Sequence, residues 1–319
     1  MTTAPNFADI RIAQARIAAH VHRTPIFSSR EIDLIAGCRI LFKCENFQRS
    51  GSFKARGAFN AVFALSPEDA EHGVVTHSSG NHGAALALAA RERGITAHVV
   101  MPRTAPAVKK AAVAGYGGRI RECEPTLAAR MAAADSIVAE TGATLIPPFD
   151  SRLVAAGQGT AALELIEDAT EPLGAITCPV GGGGLLAGTL LSVAELAPDV
   201  PVIAAEPAAA DDAARGFRTG TLQPQVLPVA TIADGLTTAM SEMTFGVMRA
   251  HVRDVATASE AAILEAMRLL WTRMKIVVEP SSAVPLAALL EGAWAPESGA
   301  VGMILTGGNV DLDHLPWAG

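Results

Sequence analysis

A lysine inside a glycine- and serine-rich turn has the most chemistry to offer in this chain. Residues 50–57 read Ser-Gly-Ser-Phe-Lys-Ala-Arg-Gly, and the apolar run 58–65 follows. An amine becomes a covalent partner for a carbonyl only when desolvation or neighbouring positive charge keeps it neutral, and the segment around Lys54 is poor in carboxylates that would oppose this. The second feature is Pro179-Val180-Gly181-Gly182-Gly183-Gly184-Leu185-Leu186, set between the apolar 175–178 and the helical pattern 187–196. Residues without a Cβ at a strand-to-helix turn let backbone N–H groups converge on an anion, and the helix behind adds its positive end. Gly181, Gly182, Gly183 and Gly184 therefore read as a phosphate cradle. No lysine follows them, so the nucleoside-triphosphate loop is absent. Gly182, Gly184 and Ala187 nominally match a dinucleotide fingerprint with Glu206 as its acidic residue, which keeps a nicotinamide site as a rival.

Two further motifs sit at comparable positions. Thr76-His77-Ser78-Ser79-Gly80-Asn81-His82-Gly83 lies between the strand-like 73–75 and the helical 84–91, and Ile304-Leu305-Thr306-Gly307-Gly308-Asn309-Val310-Asp311 lies near the C-terminus. With Phe42-Lys43-Cys44-Glu45-Asn46-Phe47-Gln48-Arg49 ahead of the lysine, the set resembles the fold type II pyridoxal-phosphate enzymes. The nearest likeness is to the branch of threonine dehydratases, serine racemases and 3-hydroxyaspartate dehydratases. It runs over residues 12–312 with the motifs in the family's order.

The elements that must position these residues alternate. Strand-like runs at 39–44, 73–76, 97–101, 144–146, 175–179, 201–204 and 301–305 are separated by alanine-rich helical patterns, with three- and four-residue apolar spacing clearest at 9–19 and 259–274. Such alternation predicts an α/β fold with parallel sheets covered on both faces. The resemblance implies two domains, each an open, mostly parallel sheet with helices on both faces: a large cofactor-binding domain from 1–66 and 151–319, and a small domain inserted at 67–150. The cofactor would lie in the cleft between them. The chain stops soon after the last motif, which leaves no room for the regulatory domain of biosynthetic threonine dehydratases.

The resemblance also implies roles. Lys54 matches the Schiff-base lysine, which holds pyridoxal 5'-phosphate at rest and takes the substrate Cα proton when released. Gly181, Gly182, Gly183 and Gly184 would hold the phosphate, Asn81 the pyridine hydroxyl, and Thr306 the pyridine nitrogen. A neutral hydroxyl there cannot keep the ring nitrogen protonated as a carboxylate does, so a weak electron sink and prompt loss of a β-substituent are expected. Ser78, Ser79, Asn81 and His82 would receive the substrate, the α-carboxylate resting on Ser78, Ser79, His82 and the helix amides behind them. Ser79 matches the acid/base on the face opposite the lysine in serine racemases. Two such groups admit racemisation, whereas elimination needs only one.

Glu206-Pro207-Ala208-Ala209-Ala210-Asp211-Asp212 resembles the cation loop of the serine racemase branch, with Glu206, the carbonyl of Ala210 and Asp212 as ligands. Hard oxygen donors suit Mg²⁺, Mn²⁺ or Ca²⁺. Arg130 aligns with an arginine shared with 3-hydroxyaspartate dehydratases and would meet a second carboxylate, with Thr238 adding a hydroxyl. Met131 stands where serine racemases carry an acidic residue, leaving Arg130 freer to meet an anion.

Composition limits the alternatives. The 319 residues are 50% hydrophobic and carry a formal charge of −7, which predicts a compact, well-buried protein and argues against a nucleic-acid partner. The longest uncharged stretch, 172–194, is broken by Pro179 and the glycines, so no membrane span is expected. Cys38, Cys44, Cys123 and Cys178 lack ligand spacing and read as reduced cytoplasmic thiols, and no secretory pattern opens the chain. The expectation is a cytoplasmic, homodimeric lyase of amino-acid metabolism. It would convert a β-hydroxy amino acid, 3-hydroxyaspartate before serine or threonine, to a 2-oxo acid and ammonia. An amino-acid racemase is the alternative enzyme, and an inactive ligand-binding regulator the alternative of another class.

Overall fold

The computed structural model describes residues 3–78 and 80–317. Strands form where apolar, β-branched runs can be covered on both faces. One sheet takes β1 (Ile26–Phe27), β2 (Ile40–Cys44), β7 (Leu173–Pro179), β8 (Val202–Pro207), β9 (Asp254–Ala258) and β10 (Ala300–Leu305), in the order β1-β2-β10-β7-β8-β9. The other takes β3 (Val74–Thr76), β4 (Ala97–Pro102), β5 (Arg119–Cys123) and β6 (Thr144–Leu145), in the order β5-β4-β3-β6. Every pairing is parallel except β1 on β2. β2, β8 and β10 are buried at every position, as strands sandwiched between helices must be.

The expected α/β class and the seven predicted strands are present, with ends shifted by a few residues. β1, β5 and β9 were not predicted, and all three lie on sheet edges. β5 is exposed at Arg119, Arg121 and Glu122 and buried only at Cys123, so its sequence carries no apolar run to recognise. The helix predicted at 259–274 is a regular helix over Glu260–Leu269 that widens into a π-turn at Leu270–Met274, closed by Lys275 at φ 60.

Lys54 begins the helix Lys54–Ala64. The N–H of Phe53, just before it, donates to the Thr306 carbonyl at 2.9 Å, tying the helix start to the end of β10. Ala55, Ala58, Phe59 and Val62 pack with Val74, Leu86, Ala89 and Val99 of the four-stranded side. On its other flank the helix crosses Arg152–Asp168 so closely that a Cβ on Gly157 would stand 2.6 Å from the Arg56 carbonyl oxygen.

The same crossing buries a cluster of charges. Arg56 donates to both carboxylate oxygens of Glu45 at 2.7 Å and to both of Glu164 at 2.8 Å. Lys43 Nζ adds bonds to Glu164 at 2.6 Å and to the Thr24 carbonyl at 2.8 Å. Two cations face two anions, and all but Glu164 are fully buried. Burial works against charge on Glu164, but Arg56 and Lys43 outweigh it and hold its carboxyl below the usual range.

The motif segments all leave carboxyl ends of parallel strands, where open α/β sheets bind ligands. Thr306 follows β10, the glycine run follows β7, Ala208–Ala210 follows β8 and His77 follows β3.

Candidate active site

Lys54 is half-buried, and its Nζ donates to the Pro148 carbonyl at 2.9 Å. Burial pushes its pKa down to about 8, while the charge of Glu279 pulls the other way. An amine with a pKa near 8 is neutral often enough at physiological pH to attack a carbonyl. The expectation of a neutralised lysine thus has a physical basis, but in desolvation. The carboxylate missing from its own segment is supplied from far along the chain.

That carboxylate organises the cleft. Glu279 is buried at the start of the helix Pro280–Leu290, and Asn81 Nδ2 donates to its two oxygens at 2.9 and 3.0 Å. Asn81 Oδ1 in turn accepts from Asn309 Nδ2 at 2.8 Å, and the same Nδ2 reaches the Ser50 carbonyl. The Ser50 turn, the first residue of the helix Asn81–Arg93 and the Thr306-Gly307-Gly308-Asn309 segment are thereby joined, with Glu279 orienting the Asn81 amide. Burial, then the charge of Asp234, push Glu279 up to about 7, against the Asn81 bond and the charge of Lys109. Lys109 itself pairs with Asp234, linking the two sheet systems across the cleft.

The glycine turn has the form of an anion cradle. Gly183 adopts φ +84, which favours glycine, and opens the helix Gly184–Leu196. A Cβ on Gly182 would meet the Phe149 ring at 2.3 Å, and one on Gly183 would meet Met240 Cε at 2.5 Å. No described acceptor takes the N–H groups of Gly181, Gly182, Gly183 or Gly184. Thr306 is buried, with Oγ1 2.9 Å from Ser282 Oγ.

His82 departs from expectation. Its Nε2 lies 3.0 Å from the Ile146 carbonyl, which can only accept, so Nε2 carries the hydrogen. Burial, with the charge of Lys54, pushes its pKa down to about 3. The ring is neutral, and its buried Nδ1 has no described partner and only a lone pair to offer. This side chain cannot donate to a carboxylate; it ties the Asn81–Arg93 helix to the segment after β6. An anion there would be met by the backbone N–H groups of the helix's first turn. Ser78 is half-buried, with Oγ accepting the Gly80 N–H at 3.4 Å. Ser79 lies outside the described residues.

Arg130 is half-buried in the first turn of the helix Leu127–Thr141, and among the described residues its guanidinium has no hydrogen bond or ion pair. It is close enough to His77, at the end of β3, for its charge to join burial in lowering that imidazole's pKa. Thr238 is exposed, with no described side-chain bond, beyond the Asp234–Leu236 turn.

Glu206 is fully buried, so it is not available to a ribose, and the nicotinamide alternative loses its acidic residue. Its oxygens accept the N–H groups of Ala213 and Ala214 at 3.1 and 2.9 Å, leaving lone pairs unused. Burial pushes Glu206 up to about 8 and Asp212 up to about 6. Among the described residues no three acidic, histidine or cysteine side chains gather as a metal site. Two carboxylates and the Ala210 carbonyl fall outside that pattern.

Sequence reasoning missed Glu279, Asp234, Lys109 and Ser282. The one available signal was Val278-Glu279-Pro280, an acidic residue ahead of a helix-starting proline, and nothing local told it from a surface cap. The raised Glu279 pKa has a consequence. Its protonated form favours the folded state, so this contribution is complete below about pH 4.5 and is lost as pH rises through about 7. In thermal unfolding of the apoprotein, Glu279→Gln should gain stability relative to wild type between pH 5 and pH 8, by on the order of 1–3 kcal/mol. A difference that stays constant over that range would contradict a buried, titrating Glu279.

The chain is similar to known proteins over nearly its whole length. The chain is 49% identical over 313 residues to the β-hydroxyaspartate dehydratase of Paracoccus denitrificans (strain Pd 1222), covering 98% of this chain and 99% of that one. It superposes on the serine racemase structure from Dictyostelium discoideum with a TM-score of 0.92 at 45% identity, over 97% and 99% of the two chains. Against the threonine deaminase structure from T.th. the TM-score is 0.92 at 45% identity, over 96% and 99%. No described helix is long and apolar enough to cross a membrane. The family described as pyridoxal-phosphate dependent enzyme matches residues 17–307, and this chain belongs to it.

Proposed function

We propose that the protein is an ammonia-lyase that dehydrates 3-hydroxyaspartate, with serine and threonine as poorer substrates, to a 2-oxo acid and ammonia. The observation that carries this reading is Arg130, a half-buried guanidinium without a described ion partner, next to the β3 end from which the substrate loop departs. A second substrate carboxylate loses hydration on entering the cleft, and an unpaired arginine offsets that cost. The 49% identity to a β-hydroxyaspartate dehydratase supports the same choice.

The residues present fit pyridoxal phosphate: a desolvated amine at Lys54, four N–H groups on the glycine turn without an acceptor among the described residues, and a buried hydroxyl at Thr306. Bound there, the cofactor supplies an electron sink for the charge left at the substrate Cα. Gly181, Gly182, Gly183 and Gly184 hold its phosphate, Asn81 its ring hydroxyl and Thr306 its ring nitrogen. Ser78, Ser79 and the N–H groups at the start of the Asn81–Arg93 helix hold the α-carboxylate, and Arg130 and the Thr238 hydroxyl hold the distal one. Lys54 Nζ takes the Cα proton, the β C–O bond breaks, and the departing hydroxide takes up the proton that Lys54 holds and leaves as water. The released enamine tautomerises and is hydrolysed to the 2-oxo acid and ammonia. Residues 67–150 act as the inserted small domain on the larger 1–66 and 151–319, with Lys109 and Asp234 joining them when the cleft closes. A homodimer in the cytoplasm completes the reading, the former checked by molar mass in solution. Racemisation is the competing activity, supported by the 45% identity to a serine racemase and by Ser79 as the second proton carrier.

Arg130→Ala should lower kcat/KM for 3-hydroxyaspartate by about 2–4 kcal/mol and change serine turnover little. Equal losses on both substrates would remove the dicarboxylate reading. Glu206, Asp212 and the Ala210 carbonyl hold a divalent cation in this account, because burial leaves both carboxyls short of positive charge. Exhaustive chelation should then lower Tm and activity together, with Mg²⁺, Mn²⁺ or Ca²⁺ restoring both. Indifference to chelation, with no metal on elemental analysis, would exclude the ion.

A further inference from the structure

The chain between β6 and the helix Arg152–Asp168 crosses the site as a short strap, Ile146-Pro147-Pro148-Phe149-Asp150. It is held at both ends. The Ile146 N–H donates to the Val75 carbonyl at 2.8 Å, and the Ile146 carbonyl accepts the His82 Nε2 hydrogen at 3.0 Å. The Phe149 carbonyl accepts the Ser151 N–H at 2.9 Å, and the Phe149 ring lies so close to Gly182 that a Cβ there would stand 2.3 Å from it. Between these ends, two successive proline rings fix φ and leave the backbone little room to turn. The Pro148 carbonyl is thereby held in place, and it accepts a hydrogen from Lys54 Nζ at 2.9 Å. No other described acceptor takes a hydrogen from Nζ; the Phe53 ring, its centroid 5.1 Å away, lies beside it.

We propose that the Pro148 carbonyl is the positioning group for Lys54: it holds the amine at one point through both proton transfers, from the substrate Cα and to the departing hydroxide. The proposal rests on the reading that Lys54 carries that proton. A lysine amine ends a flexible four-carbon stem and, unheld, samples a wide volume. As a neutral base, Nζ has two hydrogens and one lone pair. Donation of one hydrogen to Pro148 turns the lone pair away from the strap and leaves it for the Cα proton. Taking that proton gives an ammonium with three hydrogens. Pro148 keeps one, and a proton passes to hydroxide, which leaves as water and returns Nζ to the neutral amine. A carbonyl can accept but not donate, so it favours the charged form and opposes the burial that drives the amine towards neutrality. Because Ile146 touches His82 and Phe149 touches Gly182, the same strap sets Nζ relative to the Asn81–Arg93 helix and the glycine turn.

Pro148-Phe149 is the only Pro-Phe pair in the chain. Full-length protein carrying carbonyl-¹³C proline and ¹⁵N phenylalanine therefore gives one carbonyl–nitrogen cross-peak in a carbon-detected spectrum. Without cofactor, the Pro148 ¹³C shift should titrate with the Lys54 amine, with a midpoint of about 8, and should stay flat in Lys54→Met. A wild-type shift that does not titrate, or that titrates equally in Lys54→Met, overturns the proposal. Exchanging Phe149 for the corresponding α-hydroxy acid then makes the Pro148 carbonyl that of an ester, a weaker acceptor, and removes only an N–H that donates to no described group. In competitive acetylation the Lys54 pKa should fall by about half a unit to one unit, part of a charge-assisted bond. The base works when neutral, so the acid limb of kcat in the loaded enzyme should move to lower pH with it. An unchanged amine overturns the role of Pro148 and leaves Lys54 as the proton carrier. A lowered amine pKa with an unmoved limb overturns Lys54 as the carrier, and the proposal with it. Should the ester variant fail to fold, the cross-peak decides alone.

Discussion

The buried charge cluster beneath the Lys54–Ala64 helix is the constraint on which the site depends. Taking Lys43, Arg56, Glu45 and Glu164 out of water is costly, and only their close mutual pairing offsets it. Removing one partner from such a cluster costs about 3–5 kcal/mol, because its neighbours stay buried and unpaired. The bonds tie β2, the Lys54–Ala64 helix and the Arg152–Asp168 helix into one body. With the start of the helix also bonded to the end of β10, Lys54 has little freedom except along its own side chain. A covalent anchor for a cofactor needs that rigidity, since a misplacement of about 1 Å can cost about a hundredfold in rate.

Above the cluster, the cleft is built from charges held near neutrality. Burial lowers Lys54 to about 8 and raises Glu279 to about 7, so each lies within reach of its neutral form at physiological pH. His82 is neutral outright. Fixed N–H groups on the glycine turn and the first turn of the Asn81–Arg93 helix remain as the means of holding anions, and they need no counter-charge inside the site. Arg130 is the exception. A full positive charge without a described partner fits a ligand that brings one more negative charge than serine or threonine does.

Legibility in the sequence followed burial and locality. Strands flanked on both sides were readable because parallel strands under two helical layers need unbroken apolar runs; of the four edge strands only β6 was read, and β1, β5 and β9 were not, since solvent on one flank relaxes that demand. Lys54, the glycine run and the Asn81 and Thr306 segments were legible because each pairs a special backbone with a reactive or polar side chain at a strand end. The network behind them was not. Glu45, Arg56 and Glu164 look like surface charges until the Gly157 crossing buries them. Glu279 and Ser282 acquire meaning only through Asn81 and Thr306, which the chain brings to them from distant segments. His82 shows the converse: its motif was recognised, but the Ile146 carbonyl decides which nitrogen carries hydrogen and so what the ring can do.

Selection of a dicarboxylic substrate by Arg130 is the central claim, and wild-type enzyme given 3-hydroxyaspartate and serine together at equal concentration tests it most directly. Their relative rates of consumption give the ratio of kcat/KM values without assumptions about binding order. At least about tenfold preference for 3-hydroxyaspartate is expected, the ratio that roughly 1.4 kcal/mol of net charge-assisted stabilisation supplies. Equal consumption, or serine consumed first, would contradict it.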